Sequence, residues 1–150
     1  DLEHVCRGIK ERGFKVKLDT NGTRPEVLQH LMQEGLLDYV AMDVKSDLES
    51  YKELTRCYKP EDIERSMQIL KEGEIDYEFR STLIKEVHTP EMIQGMLSLL
   101  KGSKRLFLQT YRPGHVLDKA YKDLHPFTQP EMQELQELFA NEGIETAVRV

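Results

Sequence analysis

The chain has no tryptophan, two cysteines among its 150 residues and no long apolar run. A membrane-spanning helix needs about 20 consecutive apolar residues, so none is expected. Cys6 and Cys57 have no Cys or His at ligand spacing, which reads as two free thiols in a reducing compartment. A metal cluster held by this chain alone is therefore not expected. No signal-peptide pattern opens the sequence, and the expected location is the cytoplasm. Basic residues are scattered, and 27 acidic against 21 basic residues give a net charge of −6. A nucleic-acid binder would carry a basic face, so neither nucleic acid nor a membrane surface is an expected partner. Serine-hydrolase, Walker-type and GxGxxG loops are missing. The histidines His4, His30, His88, His115 and His125 lack zinc-site spacing and read as surface or loop residues. The chain opens Asp1-Leu2-Glu3-His4, without Met, and reads as starting inside a helix, as a portion of a longer protein would.

What is present is a soluble globular composition, 39% hydrophobic and 32% charged, in a length that suits one domain. One pattern repeats along it. Thr23-Arg24-Pro25-Glu26, Lys59-Pro60-Glu61, Thr89-Pro90-Glu91 and Thr128-Gln129-Pro130-Glu131 each open a helical stretch. Proline fits the first turn, where its missing N–H would have no partner, and glutamate suits the positive end of the helix dipole. Thr23 with Glu26, and Thr128 with Glu131, have capping-box spacing. Gly35, Gly73, Gly102 and Gly143 end the stretches in positions suited to left-handed helix stops. Each is followed by a β-rich run: Tyr39–Val44, Tyr77–Ile84, Leu106–Gln109 and Ile144–Val150, with Phe14–Leu18 as an earlier run after Gly13. The segment Ser46–Cys57 predicts a short extra helix. Strands alternating with helices predict an α/β fold, a parallel sheet with right-handed crossovers, in a single domain over residues 1–150.

The strands carry a second signal. Strands buried on both faces are apolar throughout; these alternate. Val16 and Leu18 alternate with Lys17 and Asp19, Val40 and Met42 with Ala41 and Asp43, Phe79 with Glu78 and Arg80, Leu106 and Leu108 with Phe107 and Gln109. One face thus packs on helices, while the other carries both signs of charge. The bland reading is an open sheet with one wet face. The functional reading is a barrel, or part of one, whose lumen takes a charged ligand at the C-terminal strand ends.

The candidates gather at those ends. Asp19-Thr20-Asn21-Gly22 is either a plain Asx turn or a carboxylate beside free amides that binds a cation or ammonium group. Asp43 and Lys45 share a strand face and partly neutralise one another; if their strands are neighbours, Asp19 and Asp43 favour a cation between them, or form a rim salt-bridge cluster. Arg80 needs a carboxylate, either Glu78 or one on a ligand. Gln109, Tyr111 and Arg112 bring further donors to the rim.

The runs Lys17-Leu18-Asp19-Thr20-Asn21-Gly22, Asp38 to Lys45 and Tyr77-Glu78-Phe79-Arg80-Ser81-Thr82, in this order and spacing, resemble the radical SAM activating enzymes of glycyl radical enzymes. The resemblance is to the anaerobic ribonucleoside-triphosphate reductase activating protein group, with pyruvate formate-lyase activating enzyme a near relative, and spans essentially the whole chain. It implies a partial (β/α) barrel of the radical SAM type. It also implies S-adenosylmethionine and a 4Fe-4S cluster held by a CxxxCxxC loop, and a GGEP-like motif for the methionyl amino group. Neither motif is in this sequence, so the chain resembles the C-terminal part of such a barrel, lacking the cluster-binding first strands and inactive alone. By resemblance, Asp19 and Asp43 line a monovalent-cation site with backbone oxygens of Thr20 and Ala41. Asn21 belongs to the same cofactor-binding turn, Lys45 and Arg80 approach the cofactor, and Arg112 stands where a relative has a histidine. The implied partners are a glycyl radical enzyme as protein substrate and a donor such as flavodoxin or ferredoxin. Two other readings stay open: a cation-dependent βα-barrel lyase using Asp19, Asp43 and Lys45, and a non-catalytic half-barrel that docks to a partner or self-associates.

Overall fold

A computed structural model describes residues 1–56, 59–114 and 118–150; Cys57 and His115 lie outside the described residues. In chain order the elements are α1 (Leu2–Glu11), β1 (Lys17–Thr20), α2 (Pro25–Gln33), β2 (Tyr39–Asp43), α3 (Leu48–Thr55), α4 (Pro60–Glu72), β3 (Asp76–Leu83), α5 (Pro90–Leu100), β4 (Arg105–Thr110), α6 (Gln129–Ala140) and β5 (Glu145–Arg149). One turn of 3₁₀ helix, Lys119–Tyr121, lies between β4 and α6. The five strands form one sheet in sequence order, every pair parallel. This is the expected alternation. The sheet is not a closed barrel, and β1 and β5 are its edges.

The core lies on one face. Val40, Met42, Val44, Tyr77, Phe79, Leu83, Leu106 and Leu108 pack with Leu28, Leu31, Ile63, Met67, Leu70, Ile93, Met96, Leu100, Met132 and Phe139 from the helices. The other face follows from register: Asp19 pairs with Ala41, Ala41 with Glu78, Asp43 with Arg80, Thr82 with Gln109, and Gln109 with Arg149. The charged and amide side chains of the alternation thus share one face of the sheet, with Ala41 and Phe107 among them.

The helix starts divide into two kinds. Thr128 and Glu131 form the expected capping box on α6, and Thr89 caps α5 through the Met92 N–H. Thr23 and Glu26 do not: Arg24 is the capping residue of α2, its side chain makes no capping hydrogen bond, and it pairs with the Glu26 side chain in the first turn instead. Thr23 is engaged one residue earlier, where its N–H and hydroxyl both donate to Asn21 Oδ1. Gly73 ends α4 in an extended conformation rather than the expected left-handed one.

The first strand is shorter than its apolar pattern predicts. Phe14 is 65% exposed and β1 begins at Lys17. The cause is Asp38. Its carboxylate accepts the Val16 N–H at 2.6 Å and binds Lys10 at 2.9 Å, while its own N–H donates to the Val16 carbonyl. A side chain thus takes the ladder's place at the strand entrance. The Val16 amide and then Lys10 hold the Asp38 carboxyl below its ordinary pKa.

Candidate functional site

The turn after β1 is built on Gly22. Its φ of +77° is left-handed, and a Cβ there would fall 2.1 Å from the Met42 methyl group. Its carbonyl accepts the Ser66 hydroxyl at 2.7 Å, tying the turn to α4. Thr20 accepts the Gly22 N–H, and Asn21 accepts Thr23. Thr20 and Asn21 therefore have the hydrogen bonds of a turn. They line a groove with Leu18, Val27, Leu28 and Leu31, beside α1 and α2.

Asp19 turns to the other face, and the Arg80 side chain bridges it to Asp43 on the neighbouring strand in a salt-bridge cluster. Arg80 Nε donates to Asp43 at 3.2 Å and Arg80 Nη1 to Asp19 at 3.3 Å. The guanidinium is mostly covered, while the Asp19 and Asp43 side chains are 58% and 40% exposed. The carboxylate partners of Arg80 are thus Asp19 and Asp43 rather than Glu78, and the ion-pair partner of Asp43 is Arg80 rather than Lys45. Lys45 extends from the end of β2, and its backbone is fixed at both ends. Its N–H donates to the Tyr51 hydroxyl at 3.0 Å, and its carbonyl lies 2.9 Å from His88 Nε2.

Asp43, Lys45, Arg80, Thr82, His88 and Gln109 share a cavity of about 680 Å³ at the C-terminal strand ends, closed on one side by Leu54 and Thr55 and on another by Asp118 and Tyr121. Its size is that of a small-molecule pocket. Arg112 lines a neighbouring recess of about 390 Å³ with Thr82, Gln109 and Arg149, and donates to the Val150 carbonyl at 2.7 Å. Tyr111 is not a free rim donor: it is buried, and its hydroxyl donates to the Tyr121 carbonyl.

His88 was expected at the surface or in a loop. It follows β3 in a turn, but it is 4% exposed. Burial holds its pKa below the ordinary histidine value. A lone histidine before a Thr-Pro-Glu helix start carried no signal of this, because its partners are backbone groups of two strand ends that meet only in the folded sheet.

The same polar face is filled at its lower end. Glu78, 3% exposed, accepts the Tyr39 hydroxyl at 3.0 Å and Arg149 Nη1 at 3.3 Å. Arg149 stacks on Phe107, 3.5 Å from the ring centre, and Arg105 donates to the Tyr39 oxygen. Burial raises the Tyr39 pKa above its ordinary value, with the Arg105 hydrogen bond opposing it.

The Radical SAM superfamily model matches residues 1–100. The chain belongs to the radical SAM superfamily. A Methanocaldococcus jannaschii protein named as a glycyl-radical enzyme activating enzyme is 34% identical over 139 residues, which cover 89% of this chain. The chain spans 57% of that relative's length. The fold matches a crystallised domain of pyruvate-formate lyase-activating enzyme from Bacteroides vulgatus with a TM-score of 0.78 and 17% identity, over 99% of this chain and 89% of that one. It also matches a radical SAM methyltransferase from Sphaerobacter thermophilus with a TM-score of 0.70 and 17% identity, over 92% of this chain and 42% of that one. At such identities these two likenesses concern the fold.

The two groups that a radical SAM fold implies fare differently here. The cavity's mixture of carboxylate, ammonium, guanidinium and amide groups fits S-adenosylmethionine, which carries a carboxylate and two positive centres. The donor set does not fit an iron–sulfur cluster: among the described residues no group of three or more His, Cys, Asp or Glu side chains could hold a metal, and Cys6 is buried. Among the described residues no helix is long and apolar enough to cross a membrane.

Proposed function

We propose that this chain supplies the S-adenosylmethionine-binding lumen of a radical SAM activating enzyme for glycyl radical enzymes, as the C-terminal part of a partial βα barrel. One observation carries the reading: the mixed-charge cavity at the C-terminal strand ends, in a chain 34% identical to a protein named for that activity. Lys45 and Arg80 offer positive charge to the methionyl carboxylate. Asp19 and Asp43, with backbone oxygens of Thr20 and Ala41, offer a place for a monovalent cation beside it. Asn21 shapes the same turn, and Arg112 closes the far rim from the neighbouring recess. When bound, S-adenosylmethionine supplies the radical chemistry, and the chain's part is to bind it, orient it and exclude water.

The protein substrate in this reading is a glycyl radical enzyme, with flavodoxin or ferredoxin as the electron source. Single-domain behaviour of residues 1–150, and inactivity without a cluster-binding segment, belong to the same proposal. So does self-association of the isolated chain through the open β1 edge, beside the exposed Leu2, Val5 and Phe14; a monodisperse monomer in ultracentrifugation would count against it.

Titration calorimetry of the chain with S-adenosylmethionine tests the central claim. Saturable one-to-one binding is expected, and no binding overturns the pocket assignment. Anaerobic incubation with iron and sulfide should leave the chain without a stable 4Fe-4S absorption band; a stable band overturns the expected inactivity.

A further inference from the structure

His88 lies outside the set of groups assigned to the ligand, yet its ring is the joint between two of the strand ends that form the pocket. Nδ1 lies 2.9 Å from the Ile84 N–H, and Nε2 lies 2.9 Å from the Lys45 carbonyl. The Ile84 carbonyl also lies 3.2 Å from Nδ1, but the Ile84 N–H is the nearer partner and can only donate, so Nδ1 is the acceptor and bears no proton. A carbonyl can only accept, so Nε2 bears the hydrogen. The two partners therefore specify one form of the ring, the neutral Nε2–H tautomer. Ile84 follows β3 directly, and Lys45 lies two residues beyond β2. The opposite end of the Lys45 peptide is held by Tyr51 from α3.

We propose that His88 is a positioning residue of the pocket: its neutral ring clasps the turn after β3 to the end of β2 and so sets the Lys45 backbone in the cavity wall. The inference rests on the reading of this cavity as the S-adenosylmethionine site. His88 shapes the site through Lys45, and its loss acts on binding by letting the β2 end drift.

Protonation loosens the clasp on its β3 side. A second ring hydrogen on Nδ1 takes away the acceptor of the Ile84 N–H and turns to the Ile84 carbonyl 3.2 Å away, while the Nε2–H bond to the Lys45 carbonyl is kept. Burial opposes the charge in the same direction. A histidine whose folded pKa is lowered contributes fully above its unfolded value, about 6.5, and the contribution is lost as pH falls through the folded value. The charged neighbours are Asp47 at the start of α3, Asp43 from β2, Lys45 just beyond it, Arg80 from β3, Asp118 across the cavity, and Lys85 and Glu86 in the same turn. Lys85 is paired with Glu131, and Glu86 with His125, and the Asp47 charge weakly favours the protonated ring against burial.

The test is S-adenosylmethionine affinity of the chain and of His88→Ala and His88→Gln, measured by calorimetry at about pH 8 and about pH 5.5, either side of the ordinary histidine value. His88→Ala should weaken binding about tenfold, the factor that one lost buried hydrogen bond corresponds to. His88→Gln keeps a donor for the Lys45 carbonyl and should stay within about threefold. The wild-type affinity should fall more on acidification than that of His88→Gln. Nitrogen-15 ring shifts of His88, recorded without ligand, should report the Nε2–H tautomer at neutral pH. Unchanged affinity in His88→Ala beside a binding wild type overturns the proposal, and so does an Nδ1–H or charged ring at neutral pH. A wild-type chain that binds no S-adenosylmethionine overturns the pocket reading itself. If His88→Ala does not fold, His88→Gln and the ring shifts still decide.

Discussion

The polar face of the sheet has two ends that obey the same alternation and behave differently. At the upper end, Arg80 is divided between Asp19 and Asp43, both carboxylates remain substantially exposed, and a cavity of about 680 Å³ opens beside them. At the lower end, Glu78 is closed off by Tyr39 and Arg149, Arg149 is stacked on Phe107, and Arg105 ties Tyr39 into the group. The lower charges have one another as partners, whereas the upper ones keep open lone pairs and donors. Charge on a strand face therefore does not by itself mark a site; unfilled space next to incompletely satisfied charge does.

Four changes would break or sharpen that contrast. The largest effect on stability belongs to the lower end. Glu78→Ala removes a buried acceptor shared by two donors and should cost about 2 kcal/mol in denaturant unfolding, with the discount that Arg149 reaches solvent. S-adenosylmethionine affinity should change by less than about twofold, well under the tenfold that 1.4 kcal/mol represents. A large loss of affinity would erase the distinction between the ends. Arg80→Met should reverse the pattern. Binding should weaken about tenfold or more, while unfolding shifts by less than about 1 kcal/mol, because the two carboxylates left behind are exposed to water.

Thr128→Ala, in the capping box of α6, should cost about 1 kcal/mol without touching affinity. The smallest effect is an acid one on the rim. The hydrogen bond from Lys85, followed by that of the Thr128 N–H, lowers the Glu131 pKa from 4.5 to about 2. A carboxylate with a lowered folded pKa contributes above its unfolded value, and the contribution fades as pH falls from about 4.5 towards about 2. Lys85→Met should flatten the stability profile in that window; an identical profile would show that the pair is too well solvated to matter.

Much of the fold was legible because its signals are local. Proline in the first turn, threonine before it and glycine after the last turn act within a few residues, and the order of helices and strands follows from them. Where a local signal had a competitor, the reading missed. Thr23 has capping-box spacing to Glu26, but Asn21 takes its N–H and hydroxyl first. Phe14 continues an apolar alternation, but Asp38 occupies the Val16 N–H and the strand begins later. Of the site, the sequence indicated Asp19, Asp43, Lys45 and Arg80 by their place at strand ends. It gave no hint that Glu78 and Arg149, 71 residues apart, are partners, or that His88 is buried.

Sequence alone determined the alternation of strands with helices and which side chains share a face, because both depend on periodicity and on caps that act locally. The tertiary structure decided which charges meet. Pairing among Asp19, Asp43 and Arg80 at one end, and among Tyr39, Glu78, Arg105 and Arg149 at the other, depends on strand order and register. Those bring together residues that no local spacing relates, and they set the cavity of about 680 Å³ beside the Asp19, Asp43 and Arg80 group.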